Sequence, residues 1–594
     1  MPRLEFSLAH LALVASGFFG LVASAPSSAS KDSPTVSVKN GTYAGVYDAK
    51  YDQDYFLGIP YAQPPERFSL AKELTASWDG VHQATEYPVH CYGYGGDQVG
   101  YEQSEDCLYL NVVRPAGIKD TSKLPVAVWI HGGGLFMGGS ADKRYNLSFI
   151  VERSVELNTP VIGVSLNYRL SAFGFPCGEE ALEEGITNLG FRDQRLALRW
   201  VNENIAAFGG SPDKVTIFGE SSGAESVSAQ VFAYKGRDDG LFRGAIAESG
   251  FGGAINRYSG GFNATKDMQN VYNALVGNVT SCADLVGSPE SLACLRKAPF
   301  EEINNALNVT GVGPWPPVLD RGFIADYPAN QVANGDFPKI PILVGANTDE
   351  GAAFGTGRGP NGGGVNTDDE MRAAIAAVIP ADAKEHSGKS VDELVDELME
   401  LYPNDQKVGI PSLDTWPHVI EPGDTYAQFL GAQYRRTGAL FGDFSMQYQR
   451  RRANKGWTKH GIPSYAYRFN VTVNGVPAFS GATHFQEVAF VFGNINGNGY
   501  ATNPFGGNGT YPAKAKALAK TMSSAWINFF TGLDPNGKDG IDVPGNEWPV
   551  FDLSDGPDGK GIVFSLNGNS IEVDDWRSGG MDWMSEHSLT VFGN

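Results

Sequence analysis

A serine framed by small residues is the first feature of this sequence that could do covalent chemistry. Ser221 lies in Gly219-Glu220-Ser221-Ser222-Gly223, directly after the apolar, β-branched run 215–218. That run is too short for a helix and predicts a buried strand, whereas residues 224–233 contain no helix breaker and predict a helix. A serine at such a strand-to-helix turn stands at the tip of the turn, where it can act as a nucleophile.

A serine hydroxyl needs a base to take its proton, and the base needs an acidic partner to orient it. His484 is the favoured base, because it lies in the small-residue loop 480–484 after a strand predicted to end near Phe469. The other histidines well beyond Ser221 lie in polar or terminal segments and are expected to be solvated; they are His386, His418, His460 and His587.

Two neighbouring carboxylates compete for the role of the acid. Asp349 and Glu350 both follow the apolar run 340–344, which predicts another buried strand. Both are also compatible with a pair that caps the start of a helix. The residue types and their spacing do not choose between them.

A run of glycines could stabilise the oxyanion that forms when a serine attacks a carbonyl. His131-Gly132-Gly133-Gly134 follows the apolar run 125–130, which predicts a buried strand. Glycines after such a strand can bring backbone N–H groups close to the reacting oxygen. We interpret His131 as a residue that anchors this loop.

These residues are separated by strands and helices that alternate along the chain. Further strands are predicted at 160–168, 244–248 and 465–469, a helix at 190–208, and an antiparallel sheet edge within 35–60. Alternation of this kind predicts an α/β fold, with a mostly parallel sheet covered by helices on both faces. The polar segment 355–461, rich in glycine at first and then helical, predicts an insertion over the carboxyl edge of the sheet.

Composition and charge narrow the range of partners. The 594 residues contain 42% hydrophobic and 19% charged residues, as expected of a globular protein with a large core. The formal net charge of −22 argues against nucleic acid and anionic membrane surfaces as partners. The chain has no dinucleotide fingerprint, P-loop or clustered Cys/His motif, so we expect neither a cofactor nor a bound metal.

The beginning of the chain predicts export from the cell. Arg3, the apolar run 11–22 and small residues at 23–25 resemble a secretory signal peptide of about 25 residues. No other run approaches the ~18 apolar residues of a membrane span, so no transmembrane anchor is expected. N-glycosylation sequons occur at Asn40, Asn146, Asn263, Asn278, Asn308, Asn470 and Asn508.

The cysteines agree with an oxidising compartment. Two short-loop pairs, Cys91–Cys107 and Cys282–Cys294, would leave Cys177 as a buried, unreactive thiol. The sequence leaves the oligomeric state open.

With these residues identified, the chain resembles the type-B carboxylesterase/lipase family of the α/β-hydrolase superfamily, which includes cholinesterases and fungal lipases. Residues 208–223 match the serine signature of that family, and residues 105–112, EDCLYLNV, match its second signature. Shorter resemblances occur at 167–170, 193–198 and 291–296. The matches extend from about residue 45 to residue 536, which predicts one catalytic domain over residues 26–594.

The resemblance assigns roles position by position. It implies Ser221 as the nucleophile, Glu350 rather than Asp349 as the acid, and His484 as the base. It also implies an oxyanion hole made by the amides of Gly133, Gly134 and Ser222, a supporting serine at Ser249, and the two disulfides already favoured.

Three departures from the family pattern bear on the substrate. Leu135 stands where many members have Phe, and Ser222 replaces the commoner Ala. The loop from Cys91 to Cys107, a long lid in the lipases of the family, is short here, lacks Trp, and has Val99 as its one aliphatic residue. The sequence therefore predicts a secreted, glycosylated serine carboxylesterase that acts on small ester substrates. The alternatives are a triacylglycerol lipase or sterol esterase, and a non-catalytic binding or adhesion protein of the same fold.

Overall fold

The computed structural model describes residues 33–252, 258–537, 541, 543, 545 and 547–594. The predicted signal peptide lies outside the described residues. Among the described residues, no helix is both long and apolar enough to cross a lipid bilayer.

The strands alternate with helices along most of the chain, as the sequence predicts. The strands are β1 (Thr35–Val38), β2 (Gly41–Ala44), β3 (Val46–Asp48), β4 (Gln53–Pro60), β5 (Val81–Gln83), β6 (His90–Cys91), β7 (Gln103–Ser104), β8 (Tyr109–Pro115), β9 (Leu124–Ile130), β10 (Ile162–Leu166), β11 (Gly210–Glu220), β12 (Gly244–Glu248), β13 (Ile342–Asn347), β14 (Ser464–Phe469), β15 (Lys560–Phe564) and β16 (Ser570–Val573).

The α-helices include several single turns and one long C-terminal helix. They are α1 (Ser148–Glu156), α2 (Ser171–Gly174), α3 (Glu179–Glu183), α4 (Leu189–Asn204), α5 (Ser222–Gly236), α6 (Thr265–Asn278), α7 (Ser291–Lys297), α8 (Phe300–Leu307), α9 (Pro328–Asn334), α10 (Gly351–Phe354), α11 (Asp368–Ala376), α12 (Ala383–Ser387), α13 (Val391–Leu401), α14 (Thr425–Leu430), α15 (Tyr434–Gly442), α16 (Tyr448–Lys459), α17 (Val488–Phe492), α18 (Tyr511–Gly532) and α19 (Ser578–Glu586).

The described residues form one large sheet of eleven strands. Its order is β16-β15-β14-β13-β12-β11-β9-β10-β8-β4-β3. The strands from β10 to β15 in this order run parallel, and antiparallel pairs close both edges. The predicted α/β fold with a mostly parallel sheet is confirmed. The expected antiparallel edge is formed by β3 and β4, whereas β1 and β2 belong to a separate small sheet with β5.

Helices cover both faces of the sheet because successive side chains of a strand point to opposite sides. In β9, Val126, Val128 and Ile130 belong to one apolar core. Ala127 and Trp129, which alternate with them, belong to a second core on the other face. Helices α4 and α5 contribute to the first core, and α1, α17 and α18 to the second. The continuous apolar runs found in the sequence are therefore those of strands buried on both faces.

The segment between β13 and β14 contains helices α11 to α16, in agreement with the predicted helical insertion. Residues 366–432 form the outer part of this insertion. The chain enters and leaves this part at one point, where the N–H of Gln433 donates to the carbonyl of Val365 at 2.9 Å. Nearer the sheet, Gly351 of α10 packs on the backbone of Gly438 in α15, so closely that a Cβ at Gly351 would lie 1.7 Å from the Gly438 oxygen. This contact ties the insertion to the turn that carries Asp349 and Glu350.

Candidate active site

Ser221 occupies a strained turn between β11 and α5. Its φ of 58° and ψ of −125° are unusual for a residue with a side chain. The turn can be this tight because a Cβ at Gly219 would lie 2.7 Å from the backbone of Gly223, and a Cβ at Gly223 would lie 2.2 Å from the carbonyl of Ile130. The two glycines that flank the serine are therefore sterically required, and the half-buried Ser221 stands at the tip of the turn.

A chain of short contacts links Ser221 to His484 and Glu350. Nε2 of His484 lies 2.8 Å from Oγ of Ser221, and Nδ1 lies 2.7 Å from Oε2 of Glu350. The three residues follow β11, β14 and β13, whose carboxyl ends lie at the same edge of the sheet. The parallel sheet thus brings together residues that are up to 263 positions apart in the chain.

Glu350, and not Asp349, contacts the imidazole. The Oγ of Ser249 donates to Oε1 of Glu350 at 2.5 Å, and the N–H of Asn347 donates to the same oxygen at 2.9 Å. The Asp349 carboxylate instead accepts a hydrogen bond from the N–H of Ala482 at 2.8 Å. Ser249 therefore lies where the family resemblance expects a supporting serine. Asn347 is an additional contact that sequence reasoning did not single out.

The glycine run lies beside Ser221. A Cβ at Gly132 would stand 3.1 Å from the Cβ of Ser221, and Gly133 and Gly134 adopt φ values of 98° and 67°, which favour glycine. The Ser222 hydroxyl accepts a hydrogen bond from the N–H of Leu135 at 3.0 Å and so ties this loop to the start of α5. The sequence analysis expected a role only for the backbone N–H of Ser222. The structure shows that its hydroxyl has a structural contact as well.

Three further carboxyl groups are buried beside the Ser221–His484–Glu350 chain. Oε1 of Glu220 lies 3.3 Å from Nε2 of His484. Glu487 accepts a hydrogen bond from Nδ2 of Asn347 at 2.6 Å, and Glu248 accepts one from Nε1 of Trp526 at 2.8 Å. Sequence reasoning missed this group, and the one available signal was the position of Glu220 inside the serine turn.

Burial sets the protonation of these groups. It raises the pKa of Glu220 and Glu248 well above the ordinary value and raises the pKa of Glu487 to about 7. Burial also opposes the charged form of His484, but the surrounding carboxyl groups outweigh that effect and raise its pKa. Both pKa shifts favour the protonated form of the group. The Glu220–His484 pair therefore retains a proton at neutral pH.

The other five histidines named above take no part in this arrangement. His131 is buried, stacks on Tyr168 with ring centroids 4.5 Å apart, and has a pKa lowered by burial to about 4. This geometry agrees with its interpretation as a loop anchor. The others have partners outside the site: His386 with Asp382, His418 with Asp424, His460 with the Val332 carbonyl, and His587 with the Trp583 carbonyl.

Aromatic side chains from the insertion and its flanks border His484. The ring of Phe354 lies 4.9 Å from the imidazole at a steep angle. Phe429, which is 60% exposed, packs against Phe479, and Phe479 also contacts the rings of Trp416 and Tyr426. We call these five residues the aromatic rim. Of these five, Phe354 contacts the His484 ring, and the other four cluster around Phe479, in the segment that leads to His484.

The loop from Cys91 to Cys107 borders the other side of the glycine run. The structure contains both expected disulfides, Cys91–Cys107 and Cys282–Cys294, and leaves Cys177 buried as a free thiol. The short strands β6 and β7 pair within the loop, and Asp97 forms an ion pair with Arg144 at 2.6 Å. Val99 is 81% exposed. The loop is thus short, internally bonded and poor in aliphatic residues.

The sequon asparagines differ in exposure. Asn263, Asn278, Asn308 and Asn508 are exposed, and Asn146 and Asn470 are half-buried. Asn40 is 4% exposed, and its Nδ2 donates to the carbonyls of Leu74 and Ala76. Because a glycan attaches to Nδ2, this geometry argues against the glycan predicted at Asn40.

Comparison with known proteins places this site in a family. The sequence profile of the carboxylesterase family matches residues 32–561. The chain is 30% identical to Lipase 4 of Diutina rugosa over 94% of this chain and 97% of that protein. It is 29% identical to a secreted triacylglycerol lipase of Gibberella zeae, over 93% and 90% of the two chains. The crystal structure of EstA from Aspergillus niger superposes with a TM-score of 0.75 and 25% identity, covering 94% of this chain and 99% of that one.

The fold is that of the α/β-hydrolases, as the structural neighbour shows. The chain belongs to the carboxylesterase family, and it is a carboxylic ester hydrolase.

Proposed function

We propose that this protein is a secreted serine carboxylesterase that works through an acyl-enzyme on Ser221. The observation that carries the proposal is the continuous chain from Ser221 through His484 to Glu350, with contacts of 2.8 and 2.7 Å. Each step of ester hydrolysis can be assigned to a group in this chain or beside it.

In the acylation step, Oγ of Ser221 attacks the ester carbonyl while Nε2 of His484 takes the serine proton. The oxyanion of the tetrahedral intermediate accepts hydrogen bonds from the N–H groups of Gly133, Gly134 and Ser222. The intermediate then collapses, and the leaving alcohol takes the proton from His484. Glu350 keeps the ring oriented through Nδ1–H and stabilises the imidazolium cation.

In the deacylation step, water replaces the alcohol. Nε2 of His484 takes a proton from this water as its oxygen attacks the acyl carbon. Collapse of the second intermediate releases the carboxylic acid and returns the proton to Oγ of Ser221. Burial favours the neutral form of Glu220, in which the carboxyl does not compete with the substrate for the proton on the imidazole.

The loop from Cys91 to Cys107 favours a carboxylesterase over a lipase. A lipase flap needs a large apolar surface that it can expose at an oil interface, and this loop offers Val99 as its one aliphatic side chain. Its strand pairing and the Asp97–Arg144 ion pair also tie it down. Small, dispersed esters are therefore the expected substrates.

A lipase or sterol esterase is the second candidate, and the aromatic rim favours it. Phe429 is 60% exposed beside Phe479, and Phe354 contacts the ring of His484. In such an enzyme the insertion, and not the loop from Cys91 to Cys107, would bind the long acyl chain. The names of the lipases from Diutina rugosa and Gibberella zeae are compatible with this alternative.

Export from the cell is part of the proposal. The signal-like residues 1–25, the two disulfides and the exposed sequons support it. The relative from Gibberella zeae is named as secreted. We infer a signal peptide followed by one catalytic domain over residues 26–594.

The test is the hydrolysis of p-nitrophenyl esters with acyl chains from acetyl to palmitoyl, measured beside the S221A variant. We expect the highest kcat/KM at short chains and loss of turnover in S221A by about 10⁴-fold or more. A peak at long chains that rises with an oil interface would instead assign the second candidate. Substantial activity in S221A, or none in the wild type at any chain length, would contradict the proposed mechanism.

A further inference from the structure

The loop that carries His484 is held by the residue that precedes Glu350. The N–H of Asp349 donates to the carbonyl of Ala482 at 2.9 Å, and the N–H of Ala482 donates to Oδ2 of Asp349 at 2.8 Å. We propose that Asp349 is a positioning residue that fixes the backbone of the histidine loop, so that the imidazole can bridge Ser221 and Glu350. This inference rests on the proposed function.

The histidine loop needs such a tether because it lies beyond the paired part of the sheet. The pairing of β13 with β14 ends at Asn347 and Phe469, and His484 follows fifteen positions later. Close to His484 the loop receives two side-chain tethers from β13 and its turn: Asp349 on Ala482, and Nδ2 of Asn347 on the carbonyl of Thr483 at 2.9 Å. Adjacent residues thus divide the task, with Glu350 binding the ring and Asp349 binding the backbone two residues before it.

The packing of Asp349 is specific to this contact. Gly481 adopts a φ of +58°, and a Cβ there would lie 2.1 Å from Oδ2 of Asp349. The carboxylate lies in full burial against the backbone of Gly481 and Ala482. A shorter side chain at 349 would leave the buried N–H of Ala482 without its acceptor, which favours another loop conformation.

The surroundings of Asp349 show which variant separates hydrogen bonding from charge. Burial raises the pKa of Asp349 to about 6, and the hydrogen bond from Ala482 and the charges of Arg577, Arg468 and Arg435 oppose this rise. Tyr434 is the other titratable group that faces it. An asparagine would keep an oxygen acceptor for Ala482 while removing the charge. The D349N variant therefore tests the tether without emptying the site.

The experiment compares D349A and D349N with the wild type on p-nitrophenyl butyrate, with D555A as the control for an exposed aspartate whose side chain is 82% accessible. For D349A we expect kcat to fall by about 10- to 100-fold and KM to stay within about twofold, because misplacing the base slows chemistry more than binding. For D349N we expect recovery to within about threefold of the wild type. The low-field proton resonance of the His484–Glu350 hydrogen bond should persist in D349N and shift or disappear in D349A.

Two results would overturn the inference. An unchanged kcat in D349A would show that the loop holds His484 without Asp349. A D349N variant that folds, as judged by its thermal transition, but is as slow as D349A would show that the acceptor oxygen is not what matters. An inactive wild type would instead overturn the proposed function, so the two failures are distinguishable.

Discussion

Oε1 of Glu220 lies 3.3 Å from Nε2 of His484, the same ring nitrogen that lies 2.8 Å from Oγ of Ser221. In the proposed mechanism, the carboxyl next to Ser221 therefore faces the atom that must accept the serine proton. An ionised Glu220 would hold that proton on the imidazole and block the base. Burial raises the pKa of Glu220 well above its ordinary value and so favours the neutral carboxyl.

Replacing Glu220 by Gln should therefore be mild at neutral pH. Glutamine has the shape and neutrality of the protonated carboxyl, so we expect kcat/KM of E220Q near pH 7 to remain within about fivefold of the wild type. The measurement is kcat/KM across the pH range, with E66Q as an exposed control. A loss of more than about 100-fold near pH 7 would mean that the ionised carboxylate is required.

Removing the Ser222 hydroxyl should loosen the glycine run. The S222A variant deprives the N–H of Leu135 of its acceptor but leaves the N–H of residue 222 in place. We expect kcat to fall by about 3- to 10-fold with little change in KM, because misplaced oxyanion donors stabilise the transition state less well. The matched control is S228A on the same helix, whose hydroxyl bonds to the carbonyl of Glu225. Equal activity in S222A and S228A would remove this role.

Glu487 should make stability depend on pH in a predictable direction. Its pKa is raised by burial to about 7, so the folded state holds a proton that the unfolded state releases near pH 4.5. As the pH rises from about 4.5 to 7, the free energy of unfolding of the wild type should therefore fall relative to that of a variant with Gln at this position. A pKa shift of this size corresponds to a change on the order of 3 kcal/mol in the difference between the free energies of unfolding of the two proteins.

The measurement is the free energy of unfolding of the wild type and E487Q at about pH 5 and pH 8. From pH 5 to pH 8 the free energy of unfolding of E487Q should increase relative to that of the wild type, since glutamine keeps an acceptor for Asn347 without a buried charge. The exposed E66Q variant should show no such gain. A difference between wild type and E487Q that does not change with pH would show that Glu487 titrates normally.

The sequons should be occupied unequally. We expect glycans at exposed asparagines such as Asn263 and Asn278, and low occupancy at Asn40, whose Nδ2 is already bonded to two carbonyls. Peptide mapping of the secreted protein after enzymatic deglycosylation measures the occupancy of each site. Full occupancy at Asn40 would show that the glycan is added before this turn closes and that the turn folds around it.

The serine turn could be predicted from sequence because its information is local. The run 215–218 and the glycines at 219 and 223 carry the strand, the turn and the start of the helix within a few residues. The strand itself is longer than predicted, since β11 begins at Gly210, which pairs with Leu124 across an irregularity in the ladder. Residues 211–214, which lie between Gly210 and the apolar run, are polar or proline and did not predict a strand.

The choice of the acid could not be predicted from the residues alone. Asp349 and Glu350 are adjacent, chemically alike and both fully buried. Which of them faces the imidazole is decided by Ala482, more than 130 positions away, whose N–H binds Asp349. The burial of Glu248 and Glu487 was invisible for the same reason, since their neighbours in the sequence do not report what packs around them in the fold.

The hydrogen bond between Val365 and Gln433 brings together the two ends of residues 366–432, the outer part of the insertion. The chain enters and leaves this segment at that hydrogen bond. The segment carries Trp416, Tyr426 and Phe429 of the aromatic rim. The contact of Gly438 with Gly351 lies outside it, next to the acid. Residues 366–432 also touch the parts of the fold that hold the site, because a Cβ at Gly438 would lie 2.6 Å from the Ile410 carbonyl and a Cβ at Gly481 would lie 3.1 Å from Pro411. A redesign of the aromatic rim must therefore keep Ile410 and Pro411 in place if the loop of His484 and the turn of Glu350 are to hold their positions.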